Sequence, residues 1–276
     1  MPLCRTRTVL VAIPFLAFGQ FAEPLAHQKL IPTLWVQTSQ EWRAAALQAY
    51  SAATLQLDRA RKDKSWTAAI EQTGQYRKLP PAIILDIDET VLDNSPSQAR
   101  EVVDGREFTP AEWNHWVSEA RADPIPGAAD FCRYAASRAV RVFFVTNRDA
   151  PYEQATRSNL ARHGFPLPEK EDTVLLRGEK PDWSSDKGTR RAYIASRYRI
   201  LLLIGDDLGD FLSGIRTSPD RRREIAAPHL NRWGRQWIML SNPGYGSWEE
   251  SLYGDPRPAD AGERLKRKLS SVDARR

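Results

Sequence analysis

Cysteine, methionine and histidine are scarce in this chain of 276 residues, which has two, two and four of them. The two cysteines, Cys4 and Cys132, are too few for a disulfide scaffold, a thiolate zinc site or an iron–sulfur cluster. No apolar run reaches the ~20 residues that a transmembrane helix needs. With 41% hydrophobic and 27% charged residues, a disordered chain, a collagen and a multi-span membrane protein are also excluded. The composition is that of a soluble globular protein.

The net charge is +5 and the isoelectric point is near 9.3. A basic balance favours anionic partners such as phosphates or nucleotides. The basic residues are scattered, with runs of three only at residues 221–223 and 266–268, and this pattern is typical of a solvated surface. No basic motif has interleaved aromatic residues, so we expect no nucleic-acid partner.

The N-terminus has the pattern of a secretory signal peptide. Two arginines precede an apolar run, Val9–Phe18, and the small residues Ala17 and Gly19 stand at the −3 and −1 positions of a cleavage site. We therefore predict a signal peptide over residues 1–19 and a periplasmic or secreted protein. Pro14 interrupts the run, which leaves a buried N-terminal helix as the alternative. No cysteine follows the run for lipid attachment, so we expect no stable membrane anchor.

The rest of the chain alternates between apolar strands and amphipathic helices. Residues 39–62 repeat apolar residues at three- and four-residue steps, which predicts one helix with a buried face. Five short apolar runs predict strands, at residues 82–85, 141–145, 173–176, 200–204 and 236–240. Such alternation predicts an α/β fold with a doubly wound, mainly parallel sheet. We expect the main domain over residues 20–255, with a small helical cap from 39–63 and 95–124, and a frayed polar tail over 256–276.

Polar residues follow three of these strands and open one helix. They are Asp86 and Asp88, then Thr146, then Asp206 and Asp210, with Lys187 at the start of a helix. Ligands bind at the carboxyl ends of the strands in such sheets, so we expect these residues to meet in one crevice. Carboxylates this close repel each other unless a cation neutralises them, and a set of oxygen ligands suits Mg²⁺. A purely structural Mg²⁺ site remains an alternative.

This combination also supplies what phosphate-ester hydrolysis needs. A carboxylate nucleophile is repelled by an anionic phosphate, and Mg²⁺ between them removes that repulsion. A lysine and a hydroxyl hold the remaining phosphoryl oxygens. A second carboxylate, two residues after the first, protonates the leaving alkoxide and then activates water.

Several motifs of this chain resemble those of the haloacid dehalogenase superfamily and, more narrowly, of the bacterial class C acid phosphatases. They include Ile84-Leu-Asp-Ile-Asp-Glu-Thr-Val-Leu-Asp-Asn94, Phe144-Val-Thr-Asn-Arg148, Ile204-Gly-Asp-Asp-Leu-Gly-Asp210 and the late Ser241-Asn-Pro-Gly-Tyr-Gly-Ser-Trp248. The resemblance covers nearly all of the chain after the predicted signal peptide. It implies a haloacid dehalogenase-like, Rossmannoid fold and a Mg²⁺-dependent acid phosphatase acting on phosphomonoesters, above all 5′-nucleotides.

The resemblance also implies a role for individual residues. Asp86 matches the nucleophile that becomes phosphorylated, and Asp88 the general acid–base. Thr146 matches the phosphoryl-binding hydroxyl and Lys187 the cation that steadies nucleophile and phosphate. The implied metal ligands are Asp86, the backbone carbonyl of Asp88, Asp206 and, through water, Asp210. The implied substrate-binding residues are Asn147, Arg148, Trp113 and Tyr245, the last two as stacking partners for a nucleobase.

Some positions depart from the family or have a second interpretation. Trp113 could equally pack into the core, and Cys132 is expected to be a buried structural thiol. The family often has tyrosine at Ser97 and asparagine at Asp207, which leaves substrate preference open and adds negative charge near the metal. Two other functions remain alternatives, a phosphotransferase to alcohols and a non-catalytic nucleotide- or phosphate-binding protein. A homo-oligomer is possible.

Overall fold

A computed structural model describes residues 27–254 and 256–275. The predicted signal peptide, residues 1–19, lies outside the described residues. A five-stranded sheet runs through the centre of the molecule, and all its neighbouring strands are parallel. This confirms the predicted doubly wound α/β fold.

The sheet strands follow the order β5-β4-β1-β6-β7. Strands β2 and β3 form a separate antiparallel ribbon. In chain order the strands are β1 (Pro81–Leu85), β2 (Leu92–Asp93), β3 (Asp123–Pro124), β4 (Arg141–Asp149), β5 (Val174–Arg177), β6 (Arg199–Gly205) and β7 (Trp237–Met239).

Ten α-helices accompany the strands in the described residues. They are α1 (Leu30–Thr38), α2 (Gln40–Lys62), α3 (Ser95–Asp104), α4 (Pro110–Glu119), α5 (Ala128–Ser137), α6 (Glu153–Arg162), α7 (Gly188–Ala195), α8 (Pro219–Ala226), α9 (Ser247–Glu250) and α10 (Ala261–Ser270). None of them combines the length and apolar character that crossing a bilayer requires.

The sheet separates two apolar clusters. Successive side chains of a strand point to opposite faces, and in β1 Ile83 and Leu85 belong to one cluster while Ala82 and Ile84 belong to the other. Each of these four side chains is at most 4% exposed. Strand β1 is therefore covered on both faces, as the continuous apolar run predicted.

The first cluster lies under α2. This helix begins after Ser39, whose hydroxyl accepts a hydrogen bond from the Trp42 amide at 3.1 Å. Its buried stripe includes Tyr50 and Leu57, and the helix packs on β6, β7 and α5. The prediction that residues 39–63 belong to a helical cap differs from this arrangement. Periodicity shows which face of a helix is apolar, but not the surface against which that face packs.

Residues 95–124 contain α3, α4 and strand β3, which pairs with β2 (Leu92–Asp93) in the ribbon. Pro110 stands at the first turn of α4, and the Thr109 hydroxyl accepts a hydrogen bond from the Glu112 amide at 3.2 Å. This confirms the capping signal in the sequence.

The segment after Pro256 is not frayed. Helix α10 begins after Asp260, whose carboxylate accepts a hydrogen bond from the Glu263 amide at 2.8 Å. Arg264 is 7% exposed and donates hydrogen bonds to the carboxylate of Glu107 and to the Pro258 carbonyl. The prediction of a frayed tail rested on polar composition alone, whereas residues 261–270 form a helix whose Arg264 side chain is held by polar contacts.

Candidate active site

The site lies at the carboxyl edge of the sheet, where the loops after β1, β4 and β6 meet. Asp86 follows β1, Thr146 lies near the end of β4, and Asp206 follows β6. Lys187 immediately precedes α7. Parallel strands bring their carboxyl ends to one edge, so residues far apart in sequence become neighbours there.

Three carboxylates form the centre of the site. One oxygen atom from each of Asp86, Asp206 and Asp210 lies within 4.8 Å of the others. The Lys187 ammonium, 7% exposed, donates to Asp210 at 2.6 Å and also to Asp86. The structure therefore brings together four of the six residues that were predicted to share one crevice.

Burial of the site carboxylates and the repulsion between their charges shift their pKa values. Burial raises the pKa of Asp86 to about 7, an effect that Lys187 opposes and the charge of Asp210 reinforces. Burial and the neighbouring Asp86 and Asp210 also raise the pKa of Asp206. Burial alone would lower the pKa of Lys187, but Asp210 and Asp86 outweigh it, and the net change is upward. The cluster therefore has an excess of negative charge that favours a bound cation.

The Asp88 carboxylate is not part of this cluster. It pairs with Arg148 at 2.8 Å, accepts a hydrogen bond from the Asn94 side chain at 3.0 Å, and lies 3.3 Å from the Thr146 hydroxyl. Its side chain is therefore not one of the grouped oxygens. Any metal contact of Asp88 would come from its backbone carbonyl, as the resemblance implies.

Two of the predicted substrate-binding side chains are occupied by protein partners. The Arg148 side chain, 1% exposed, is paired with Asp88. The Asn147 side chain accepts a hydrogen bond from Arg190 at 2.7 Å and donates to the Ser185 carbonyl at 3.0 Å. The hydrogen-bonding groups of the Asn147 side chain are therefore engaged by the protein itself.

The two predicted stacking residues lie near the site but in different surroundings. Trp113 is half-buried, packs against the first apolar cluster, and has the Arg148 guanidinium 5.8 Å from its ring centroid. The Tyr245 hydroxyl donates to the Glu89 carboxylate, and the Lys29 ammonium lies 5.7 Å from the Tyr245 ring centroid.

Glu89 is a site residue that the sequence reasoning missed. It is buried at 6% exposure and has a φ of 57°, a conformation that is uncommon for a residue with a side chain. Burial raises its pKa to about 8, and the charge of Asp88 adds to that effect. Its carboxylate also accepts hydrogen bonds from the Asn94 amide and the Gln98 side chain, each at 3.2 Å. Its position inside the first motif was the available signal.

The loop between β7 and α9 is a second feature that was missed. Asn242 donates from its side chain to Asp206 at 2.8 Å. Ser247 donates its amide and its hydroxyl to Asp207, both at 2.6 Å. Asp207 also accepts from the Gly209 amide at 2.8 Å. The carboxylate that replaces the family's asparagine is therefore used to hold two loops together.

Comparison with known proteins agrees with this geometry. Residues 22–248 match the family model described as HAD superfamily, subfamily IIIB (acid phosphatase). The chain belongs to this family. HAD phosphatases use a divalent metal, and the three grouped carboxylates offer the oxygen ligands that such an ion prefers.

Solved structures and curated relatives give the same family. The class C acid phosphatase from Bacillus anthracis is 33% identical, with a TM-score of 0.76, and the match covers 90% of this chain and 97% of that chain. The same enzyme with tungstate bound gives 32% identity and a TM-score of 0.78 over equal shares.

Two plant proteins share 26% identity with 47% of the chain: the stem 31 kDa glycoprotein of Glycine max and acid phosphatase 1 of Solanum lycopersicum. The chain spans about half the length of these curated relatives, since the matches cover 51% of each. Membership of the family places the chain among the phosphoric monoester hydrolases.

Proposed function

We propose that this protein is a Mg²⁺-dependent acid phosphatase that hydrolyses small phosphomonoesters, 5′-nucleotides above all, through a phospho-aspartate on Asp86. One observation carries the proposal: the Asp86 carboxylate stands beside Asp206 and Asp210 and is bonded to the buried Lys187 ammonium. A nucleophile, a metal-binding set of oxygens and a fixed cation therefore meet at one point.

Asp86, Asp206 and Asp210 would hold the metal together with the Asp88 carbonyl. A bound Mg²⁺ supplies charge that offsets the repulsion between the carboxylates and the phosphate. Lys187 supplies a further fixed positive charge beside Asp86, and Thr146 supplies a hydroxyl for a phosphoryl oxygen.

The proposed reaction has two steps. An oxygen of Asp86 attacks phosphorus, the ester P–O bond breaks, and the leaving alkoxide takes a proton from Asp88. In the second step Asp88 takes a proton from water, the water oxygen attacks phosphorus, and phosphate leaves as Asp86 is regenerated. The pairing of Asp88 with Arg148 and Asn94 keeps its carboxylate at a fixed position for both transfers.

The preference for nucleotides rests on the aromatic residues at the edge of the site. Tyr245 lies between two glycines in the loop that also contacts Asp206 and Asp207. A ring at this position offers a stacking surface for a base, and stacking tolerates every base. The tungstate in the Bacillus anthracis relative is a phosphate-shaped oxyanion, which supports a phosphoryl site in this family.

We also propose that the protein is exported to the periplasm or secreted, on the basis of the N-terminal sequence pattern. N-terminal sequencing of the protein from its host checks this, with a start at Gln20 expected.

Phosphate release is the test of the proposed function. We expect release from 5′-AMP and p-nitrophenyl phosphate at mildly acidic pH with Mg²⁺, and none with a chelator. Because stacking needs a base, kcat/KM for 5′-AMP should exceed that for ribose 5-phosphate. Asp86→Asn removes the nucleophile and should reduce kcat by at least about 10³-fold, on the order of nucleophile removal in other enzymes.

The matched control is Asp220→Asn, because the Asp220 side chain is 84% exposed on α8. This variant should keep full activity. Substantial turnover by a folded Asp86→Asn protein would contradict the assigned nucleophile. Binding of 5′-AMP by the unmutated protein without any turnover would instead support a nucleotide-binding protein.

A further inference from the structure

Helix α7 carries two adjacent arginines that are completely buried. Arg190 and Arg191 each have an exposure of 0%, although they follow the buried Lys187 by only three and four residues. Burying a guanidinium is costly unless its donors find partners. The partners of these two side chains therefore show which parts of the molecule they hold.

Arg190 holds residues 146–148 at the end of β4. The pairing of β4 with β5 is irregular between Val145 and Asp149, and we call this irregular stretch the phosphate-binding loop. It donates to the Thr146 carbonyl, to the Asn147 side chain at 2.7 Å and to the Ser184 carbonyl at 2.7 Å. These acceptors are all neutral oxygens, and the Arg190 Nε has no hydrogen-bond partner among the described residues. A buried charge with such incomplete compensation is a cost to folding, so the position is not explained by stability alone.

The bond to the Thr146 carbonyl fixes a peptide plane. In a trans peptide the carbonyl and the following N–H point in opposite directions. Because the Thr146 carbonyl faces Arg190, the Asn147 N–H faces away from it. The Asn147 side chain adds a second link, since it donates to the Ser185 carbonyl at 3.0 Å. The phosphate-binding loop is thus docked on the segment that carries Lys187.

Arg191 holds the opposite side of the site, residues 206–210, which we call the metal-binding loop. It donates to the carbonyls of Gly209 at 2.9 Å and Asp210 at 3.1 Å. It also reaches the Ser213 hydroxyl at 3.2 Å and pairs with Glu71 at 2.8 Å. Arg191 therefore fixes the backbone from which the Asp210 side chain projects.

We propose that Arg190 and Arg191 are positioning residues that set the phosphate-binding loop and the metal-binding loop at fixed distances from Lys187. One short helix thereby relates three groups: the Thr146 peptide, the Lys187 ammonium and the Asp210 carboxylate. This inference rests on the proposed function. A displacement of reacting groups by about 1 Å can reduce catalysis by roughly 10²-fold, so loops held by one element have a direct effect on rate.

Arg190→Lys and Arg191→Lys test the proposal because lysine keeps the charge but lacks the planar fork of donors. For Arg190→Lys we expect weaker inhibition by inorganic phosphate and a kcat lower by roughly 10²-fold, with unchanged Mg²⁺ affinity. For Arg191→Lys we expect Mg²⁺ affinity to fall by about 10-fold or more. Phosphate inhibition at saturating Mg²⁺ should then change little.

Two measurements separate these effects. Isothermal titration calorimetry of the metal-free protein gives Mg²⁺ affinity without turnover, and competitive inhibition gives phosphate affinity. Arg221→Lys is the matched control, since its side chain is 62% exposed on α8, and it should change neither constant. If an arginine variant does not fold, removal of its partner replaces it: Asn147→Ala for Arg190 and Glu71→Gln for Arg191.

The proposal is overturned if both variants reduce both affinities equally, since that indicates a general loss of structure, or if neither constant changes. Failure of the proposed function looks different. In that case the unmutated protein releases no phosphate, or Asp86→Asn retains activity, while calorimetry still gives the Mg²⁺ affinities of the unmutated protein and of both arginine variants.

Discussion

At the scale of single residues, neighbours in one motif have separate roles because their surroundings differ. Asp86 joins a carboxylate cluster and is bonded to Lys187, whereas Asp88 is paired with Arg148. Glu89 lies next to both but is bonded to neutral donors, among them Tyr245 and Asn94. Within four residues, Asp86 thus belongs to a carboxylate cluster, Asp88 to an ion pair and Glu89 to a network of neutral hydrogen-bond donors.

The pKa of Glu89 gives a prediction about stability. Burial raises this pKa to about 8, so the folded protein binds a proton that the unfolded chain releases near pH 4.3. The contribution to stability is therefore complete at low pH and is lost as the pH rises through about 8. Glu89→Gln has no such proton, and its free energy of unfolding should fall less steeply between pH 5 and pH 8.

Chemical denaturation at several pH values, with a chelator present, measures this slope. The difference between the two proteins is at most about 1.4 kcal/mol per pH unit for one proton. Glu224→Gln, at a side chain 65% exposed, should keep the slope of the unmutated protein. Equal slopes for Glu89→Gln and the unmutated protein would show that Glu89 is ionised in the fold.

At the scale of elements, the polar composition of residues 261–270 gave no indication that they form a helix, α10, with contacts to the rest of the molecule. The buried Arg264 satisfies the Pro258 and Ala259 carbonyls at 2.9 and 2.6 Å and reaches Glu107 in the connection between α3 and α4. The bond to Glu107 attaches α10 to the connection between α3 and α4, whereas the bonds to Pro258 and Ala259 fix the segment that precedes the helix.

Arg264→Ala should lower the free energy of unfolding by about 1–3 kcal/mol, because two carbonyls lose a buried donor. The pairing with Glu107 adds little, since that carboxylate is 68% exposed. Thermal or denaturant unfolding measures the loss. Arg275→Ala, at a side chain 88% exposed, should leave stability unchanged. An equal, negligible effect of both substitutions would contradict the docking of α10.

The elements also show how far sequence reasoning reaches. The five strands were predicted because buried parallel strands are short apolar runs, and α4 because Thr109, Pro110 and Glu112 form a local start signal. The carboxylates were found because polar residues at strand ends have a known destination, whereas Lys187 was found at the start of a helix and through the family resemblance. The contacts of α2 and α10, the network around Glu89 and the partners of Arg190 depend on long-range packing, which no local pattern encodes.

At the scale of the whole molecule, the two apolar clusters share the strands of one sheet. Ile83 and Ile84, adjacent in β1, belong to different clusters. Tryptophans lie in both, with Trp116 in the first and Trp237 in the second. Because neither face of the sheet can lose its cover without exposing the same strands, the clusters should unfold together.

Coincident denaturation curves are therefore expected from tryptophan fluorescence and from circular dichroism at 222 nm. Trp116→Phe and Trp237→Phe, measured separately, reduce the fluorescence of one cluster at a time, because Trp66 remains in the first cluster and Trp183 in the second. Their fluorescence midpoints should each match the midpoint by circular dichroism for the same variant. Two resolved transitions would contradict a shared core.

The central place of β1 also has a consequence in time. Lys187 is 101 residues from Asp86, its bonding partner, and Asn242, which supports Asp206, comes later still. At about 5–20 residues per second, the roughly 150 residues between Asp86 and Asn242 take on the order of ten seconds to synthesise. Strand β1 pairs with β4 and β6, so the growing chain carries its innermost strand without both neighbours until residue 205 is made. The first motif of the site to be made is thus the one that waits longest for its partners, and the site lacks its last support until Asn242 is made.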